Sequence, residues 1–248
     1  MKVLFAGPSL HRDLPFLKRH HVEIDWRGPA HCGDIAGAVL DGATAIGVID
    51  GLFDQNAAPW HKEILFALTQ GVRVAGGASM GALRAAECRA FGMVGIGAIY
   101  RRYAVDVVTD DADVAQLHGP EELNYLPLTE PWVNVEPSLE RLEADGVVAP
   151  ASVRHIVAAA RRLHYTERTY QEILRHTVGI RPAEAEAALR WLRDHAIDQK
   201  RIDALEVLDW LREQPETRAG GDRANDRPWQ LQETTQWLEL LRTLGRAA

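Results

Sequence analysis

The sequence predicts an α/β protein: a mostly parallel sheet flanked by helices, followed by an all-α C-terminal region. Three observations carry that expectation. Short apolar runs alternate with stretches of helical spacing over the first hundred residues. The links between them are brief and punctuated by Gly, Pro and Asp, as in βαβ units. Beyond about residue 137 helical spacing takes over. We therefore expect an α/β core over residues 1–137 and a helical region over 138–248.

The elements follow in order. Residues 2–6 read as a buried strand closed by Gly7-Pro8, residues 22–26 alternate like a second strand, and 34–40 form a short helix. The run 45–49 is a central strand that turns at Asp50-Gly51. Pro59 opens a helix over 59–70 that carries Ile64, Leu65 and Leu68 on one face and stops at Gly71. Residues 72–76 are the next strand and 80–91 the next helix, closed by Gly92. Four prolines between 118 and 137 exclude regular helix there and suggest an ordered loop or edge strands that form a lid or a partner surface. Helical spacing then recurs over 139–143, 153–163, 166–176, 182–195, 198–213 and 229–244, with Trp191, Trp210, Trp229 and Trp237 as core anchors. The polar stretch 218–228 reads as a mobile loop.

Composition narrows the function classes. Hydrophobic residues make up 46% and charged residues 25%, the balance of a soluble globular chain. The formal net charge is −7, which disfavours nucleic acid and anionic membranes as partners, since both require a basic face. Residues 1–150 hold 12 Lys/Arg against 20 Asp/Glu, and 151–248 hold 16 against 15, so the acidity sits in the first part. No apolar run reaches membrane-spanning length, and the first strand is too brief for a secretory core. Cys32 and Cys88 lie in no C-x-x-C pair, and Cys88 falls in a helix as a small hydrophobe. The expected setting is the reducing cytoplasm. The histidines lack ligand spacing, and neither a P-loop nor a dinucleotide fingerprint is complete, so no metal and no cofactor is expected.

The strongest chemical signal is Gly77-Ala-Ser-Met-Gly81, a G-x-S-x-G match between a strand and a helix. That spacing marks a sharp turn that projects a serine hydroxyl, here Ser79, while the helix behind it aims free N–H groups at a developing oxyanion. The competing reading is a plain helix N-cap. Strand ends at Gly7-Pro-Ser9 and Asp50-Gly51 converge on the same edge, where ligands gather in parallel sheets. A serine nucleophile needs a base, and two candidates stand open. His118 lies near the end of the α/β part; a lone loop histidine is more often structural or exposed. Lys62 sits in the first turn of the helix before the serine strand, within reach of Ser79 from the neighbouring strand end. An unperturbed lysine is neutral only about once in 2,500 molecules at pH 7, so a base role requires burial or positive neighbours, such as the helix terminus. Otherwise Lys62 is a surface charge. Arg84 and Glu87 suit an i,i+3 ion pair, with anion binding as the alternative for Arg84. Asp50 makes a turn, orients Lys62 or binds a partner's backbone. Asp110-Asp-Ala-Asp113 reads as a solvated acidic turn.

These blocks together resemble the TfuA-like family. The matching residues are Gly7-Pro-Ser-Leu10, Val48-Ile-Asp-Gly-Leu-Phe53, His61-Lys-Glu-Ile-Leu65, Gly76-Gly-Ala-Ser-Met-Gly-Ala-Leu-Arg-Ala-Ala-Glu87, Phe91-Gly-Met93, Asp110-Asp111, Val114-Ala115, Tyr125, Pro127-Leu128, Pro131 and Val133-Asn134, across roughly residues 1–140. The resemblance implies a protein that accompanies a YcaO enzyme. That partner activates a peptide amide with ATP and replaces its oxygen by sulfur. The TfuA-like protein releases sulfide from the C-terminal thiocarboxylate of a ThiS-type carrier and helps engage the peptide. The family's Ser–Lys pair carries over to Ser79 and Lys62. Oxyanion donors are expected at Met80 and the Gly7 loop, and the small residues Gly76, Gly77, Ala78 and Gly81 suggest a narrow channel for a diglycine tail. One departure is Gly77 beside Ala78, where bulkier residues are expected in the family; it should loosen the turn. Two other classes remain: a non-catalytic adaptor that recruits peptide and carrier through the acidic face and the 118–137 segment, and a generic serine esterase.

Overall fold

The computed structural model describes residues 1–52, 57–106, 110–219 and 229–245. Phe53 of the family blocks and most of the expected 218–228 loop lie outside them. The chain forms two compact units, one of Met1–Val107 with Arg201–Ala248 and one of Val108–Lys200. This differs from a division at 137: the helices after residue 200 belong with the sheet, and the proline-rich segment belongs with the helices that follow it.

The first unit is built on a five-stranded parallel sheet in the order β2-β1-β3-β4-β5. Its strands are β1 (Lys2–Phe5), β2 (Ile24–Arg27), β3 (Ala45–Val48), β4 (Arg73–Gly77) and β5 (Val94–Ile96). Between them run α1 (Leu14–His20), α2 (Asp34–Leu40), α3 (His61–Thr69) and α4 (Met80–Cys88), with α5 (Gly97–Ala104) after β5. Gly92, at φ +107°, closes a 3-10 turn over Arg89–Phe91 that extends α4 to the expected stop. The sheet and its flanking helices match the predicted fold class; α1, β5 and α5 were not anticipated.

Strand alternation assigns the faces. Val3 and Phe5 of β1, Ile46 and Val48 of β3 and Val74 of β4 point to one side, where Ile35, Val39, Ile64, Leu68 and Ala85 from α2, α3 and α4 complete a buried core. On the other side a Cβ added to Gly47 would stand 2.5 Å from Leu4 Cδ1 and 3.2 Å from Val207 Cγ1. Val207 belongs to α10 (Gln199–Glu213), whose first two residues are counted with the second unit. Two further bonds tie α10 down: Lys2 Nζ donates to the Arg212 carbonyl at 2.6 Å, and the Ile99 N–H donates to the buried Asp203 carboxylate at 2.7 Å. A later helix, α11 (Thr235–Thr243), buries Trp237 against Phe66 of α3, with ring centroids 5.2 Å apart. Trp191, Trp210 and Trp229 are half-buried.

The second unit contains α6 (Trp132–Ala144), α7 (Pro150–Arg162), α8 (Tyr170–Arg175) and α9 (Pro182–His195) around a core of Trp132, Leu139, Leu142, Ile156, Ile173 and Leu192. Helix α6 begins five residues before Pro137, so the extended segment ends earlier than its prolines suggested. Asp110 caps a 3-10 turn over Asp111–Asp113 by accepting the Ala112 N–H at 2.9 Å, and Asp113 is buried against Arg161 at 2.9 Å. The acidic turn is therefore structural. No helix among the described residues is long and apolar enough to cross a membrane.

Candidate active site

Strand β4 runs buried to Gly77, and the chain then turns sharply into α4. Ala78 supplies the turn: its φ is +64°, a left-handed conformation that costs a residue with a Cβ roughly 1 kcal/mol. Gly77 itself stays in the strand, so its role is not to loosen the turn. Ser79 follows at the N-cap position of α4, 7% exposed, yet its hydroxyl makes no cap hydrogen bond. The helix is started instead by the Ser79 carbonyl, which accepts the Ala82 N–H at 2.9 Å. The Met80 N–H has no acceptor among the described residues. An uncommitted hydroxyl thus sits at the positive end of a helix beside an unused backbone donor, as a nucleophile and its oxyanion require.

The glycines around Ser79 serve close packing of main chain. A Cβ on Gly81 would lie 1.8 Å from the Val48 carbonyl oxygen, one on Gly76 2.1 Å from the Gly81 oxygen, and one on Gly77 2.7 Å from the Ile96 oxygen. Backbone therefore stands directly against each of these glycines. These glycines let α4 approach β3 and β4 closely enough for the Gly81 N–H to reach the Ile49 carbonyl at 3.1 Å.

Asp50, at the end of β3, is 1% exposed and fully engaged with the loop after β1. Its Oδ2 accepts the Gly7 N–H at 2.9 Å and the Ser9 N–H at 3.1 Å, and its Oδ1 accepts the Ser9 hydroxyl at 2.7 Å. Two corrections follow. Asp50 fixes the loop and does not orient Lys62, and the Gly7 N–H is spent on Asp50, which removes it as an oxyanion donor. The clasp spans β1 and β3, the point where the strand order reverses and where such sheets bind ligands. Replacing Asp50 by Ala strands two buried N–H groups and a hydroxyl, so urea unfolding should show a loss of about 3 kcal/mol; an unchanged midpoint would rule the clasp out.

Lys62 occupies the first turn of α3, as expected, and is half-buried. Its Nζ donates to Thr234 Oγ1 at 3.1 Å, and Thr234 also caps α11 by accepting the Trp237 N–H at 3.4 Å. No hydrogen bond joins Lys62 to Ser79. The next residue, Glu63, escaped the sequence reading although it sets the position of this turn. It is fully buried, accepting the Trp60 N–H at 2.9 Å and the Ala36 N–H at 3.2 Å, and so it caps α3 and α2 together. Burial pushes its carboxyl above the ordinary range despite those bonds. The available signal was a glutamate in a first turn after Pro59.

Arg84 is held twice, by the Pro59 carbonyl at 3.0 Å and by Glu87 at 2.6 Å. His61 Nε2 stands 2.8 Å from the same Glu87 oxygen. Burial acts to raise the Glu87 carboxyl, but the His61 and Arg84 bonds outweigh it and hold it below its usual range. The ion-pair reading of Arg84 therefore describes its contacts. His118 belongs to the second unit, where its Nδ1 bonds to the Gly119 carbonyl at 2.8 Å and its ring meets Tyr125 edge-on. Burial drives the Cys88 thiol up to about 12, as befits a packing residue. Among the described residues no group of three or more His, Cys, Asp or Glu is arranged to hold a metal.

A doubly wound parallel sheet with a serine at a strand-to-helix turn defines an α/β protein with a serine-centred candidate site. Residues 50–169 match the family model for TfuA-like protein, which supports the family resemblance carried by the sequence blocks. The match begins at Asp50, takes in Lys62 and Ser79, and continues into the second unit. No curated protein matches the chain.

Proposed function

We propose that this chain is a TfuA-like protein that supplies sulfide to a YcaO partner during peptide backbone thioamidation by hydrolysing a thiocarboxylated ThiS-type carrier at Ser79. The observation that supports this reading best is the Ser79 hydroxyl, nearly buried at a helix N-terminus and yet not used as a cap. In the reaction Ser79 Oγ attacks the thiocarboxylate carbon while Lys62 takes the hydroxyl proton. The Met80 N–H holds the oxyanion. Collapse breaks the carbon–sulfur bond and expels hydrosulfide, which accepts the proton from Lys62. Water, activated by the neutral lysine, then cleaves the Ser79 ester and frees the carrier as a carboxylate.

Lys62 must exchange Thr234 for Ser79 in this scheme. An exposed side-chain hydrogen bond contributes about 1 kcal/mol, so the exchange is a small barrier for a flexible ammonium. Lys62→Ala is expected to lower sulfide release by roughly 10²–10⁴-fold, the range for loss of a general base. Thr234→Val should leave release unchanged or slightly raised. Both are read by mass spectrometry of the carrier and a sulfide probe. Equal loss in the two variants would mean that the Lys62–Thr234 contact is architectural. The adaptor reading, in which the chain recruits carrier and peptide without chemistry, draws its support from that same contact. It takes precedence if the wild type releases no sulfide with the YcaO partner present.

A further inference from the structure

The proline-rich stretch of the second unit folds into a small antiparallel ribbon. The Gly119 N–H donates to the Leu126 carbonyl and the Leu128 N–H to the Leu117 carbonyl, both at 2.8 Å, around the bridge of His118 with Pro127. Side chains alternate across such a ribbon. Leu117, Leu126 and Leu128 therefore share the face of Gly119, while His118 and Pro127 take the other. A Cβ on Gly119 would meet Leu123 Cδ1 at 3.4 Å, which puts Leu123 on the leucine face as well. These four leucines are 38%, 58%, 43% and 55% exposed for Leu117, Leu123, Leu126 and Leu128. Each thus leaves a large share of its apolar surface in water. Contiguous exposed apolar surface of this kind marks an interaction site.

The face borders a cleft of about 450 Å³ in which Leu117 and Leu128 stand opposite Leu163, Thr166 and Thr169 at the entrance to α8. Its lining holds Glu167 and Glu172 with Arg175 and His176. Glu122 and Glu167 are exposed and have no ion-pair partner among the described residues. The nearby cations Arg175 and His176 are already held by Glu172. The ribbon itself, residues 117–128, carries Glu121 and Glu122 and no Lys or Arg. An acidic rim repels an anionic lipid surface and attracts a basic chain.

We infer that this leucine-faced cleft docks an extended protein segment bearing apolar side chains interspersed with Lys or Arg. The apolar side chains fill the space between the ribbon and α8, and the acidic rim receives the cations. The site involves no residue of the Ser79 chemistry and stands whether or not that chemistry occurs.

Fluorescence anisotropy with full-length protein tests it, using three fluorescein-labelled peptides: alternating Leu and Lys, the same with Ser for Leu, and the same with Glu for Lys. The Leu/Lys peptide should bind, and each of the others at least about 10-fold more weakly. The double variant Leu126→Ser/Leu128→Ser should lose about 10-fold, and Glu122→Lys should weaken binding and flatten its salt dependence. These side chains are exposed, so folding is preserved and is checked by circular dichroism. Val22→Ser, at an exposed position of the first unit, and Ser79→Ala should bind like the wild type. Absence of binding by the Leu/Lys peptide, equal binding of the Ser-for-Leu peptide, or indifference to the leucine variants would each overturn the inference.

Discussion

Ser79→Ala is expected to abolish sulfide release, by about 10³-fold or more, while leaving the unfolding midpoint where it was. The two halves of this expectation work together. A serine that caps a helix loses about 1 kcal/mol when cut back to alanine, because an orphan N–H is left without its acceptor. The Ser79 hydroxyl caps nothing, so its removal has no such consequence. Ala78 already holds the left-handed turn, and the backbone bonds that start α4 come from carbonyl oxygens that alanine retains. A large kinetic loss with no thermodynamic one is therefore the signature of chemistry at this position. A single-turnover experiment adds a direct readout. Carrier mixed with the wild-type protein and quenched within one turnover should yield a conjugate whose mass is the two chains minus hydrogen sulfide. Full release by Ser79→Ala would remove the nucleophile and, with it, the hydrolytic reading.

The parts of this fold that could be read from sequence are those whose cause is local. The buried runs at β1, β3 and β4 are apolar on both faces because the sheet is covered twice, and such runs stand out from their neighbours. Helix α2 and helix α9 fall on the predicted residues, with buried Ile35, Ala36 and Val39 on one and Pro182 opening the other. Strand β5 has three residues, an exposed Val94 and a central Gly95 that makes way for the Tyr100 ring, so it shows no strand pattern. The return of α10 to the sheet rests on Val207 meeting Gly47, across 160 positions that periodicity cannot bridge.

The candidate site divides in the same manner. Ser79 was legible because glycines and a strand-to-helix change surround it in sequence. Asp50 was visible as a strand-end residue, but its partners Gly7 and Ser9 are more than 40 residues away and decide its role. Lys62 was placed in the right turn, whereas the acceptor it chooses, Thr234, comes from the far end of the chain. Glu63 was hidden by its type, since a glutamate in a first turn reads as a solvated charge until burial and two helix ends are seen around it.

Gly81→Ala carries the largest structural effect we expect, and a second glycine supplies its control. The added carbon at Gly81 would stand 1.8 Å from the Val48 carbonyl oxygen and 2.6 Å from the carbon behind it. Both atoms are main chain in a central strand, so neither can move aside alone. Helix α4 must withdraw from β3, which breaks the Gly81–Ile49 hydrogen bond and the packing beneath it. A loss of at least about 4 kcal/mol follows, a large share of a typical domain's stability, and most of the variant should be insoluble. Gly37 lies inside α2 with nothing within 4 Å of the place a Cβ would take. The same substitution there should raise stability by about 0.4–1 kcal/mol, through the reduced freedom of the unfolded chain. Opposite signs from one chemical change isolate the contact as the cause, and equal midpoints would mean that α4 does not approach β3 this closely. The contact matters beyond stability because Gly81 is two residues from Ser79. Whatever holds α4 against the sheet also fixes where the hydroxyl and the Met80 N–H point, so any soluble Gly81→Ala protein should lose sulfide release before it loses the sheet.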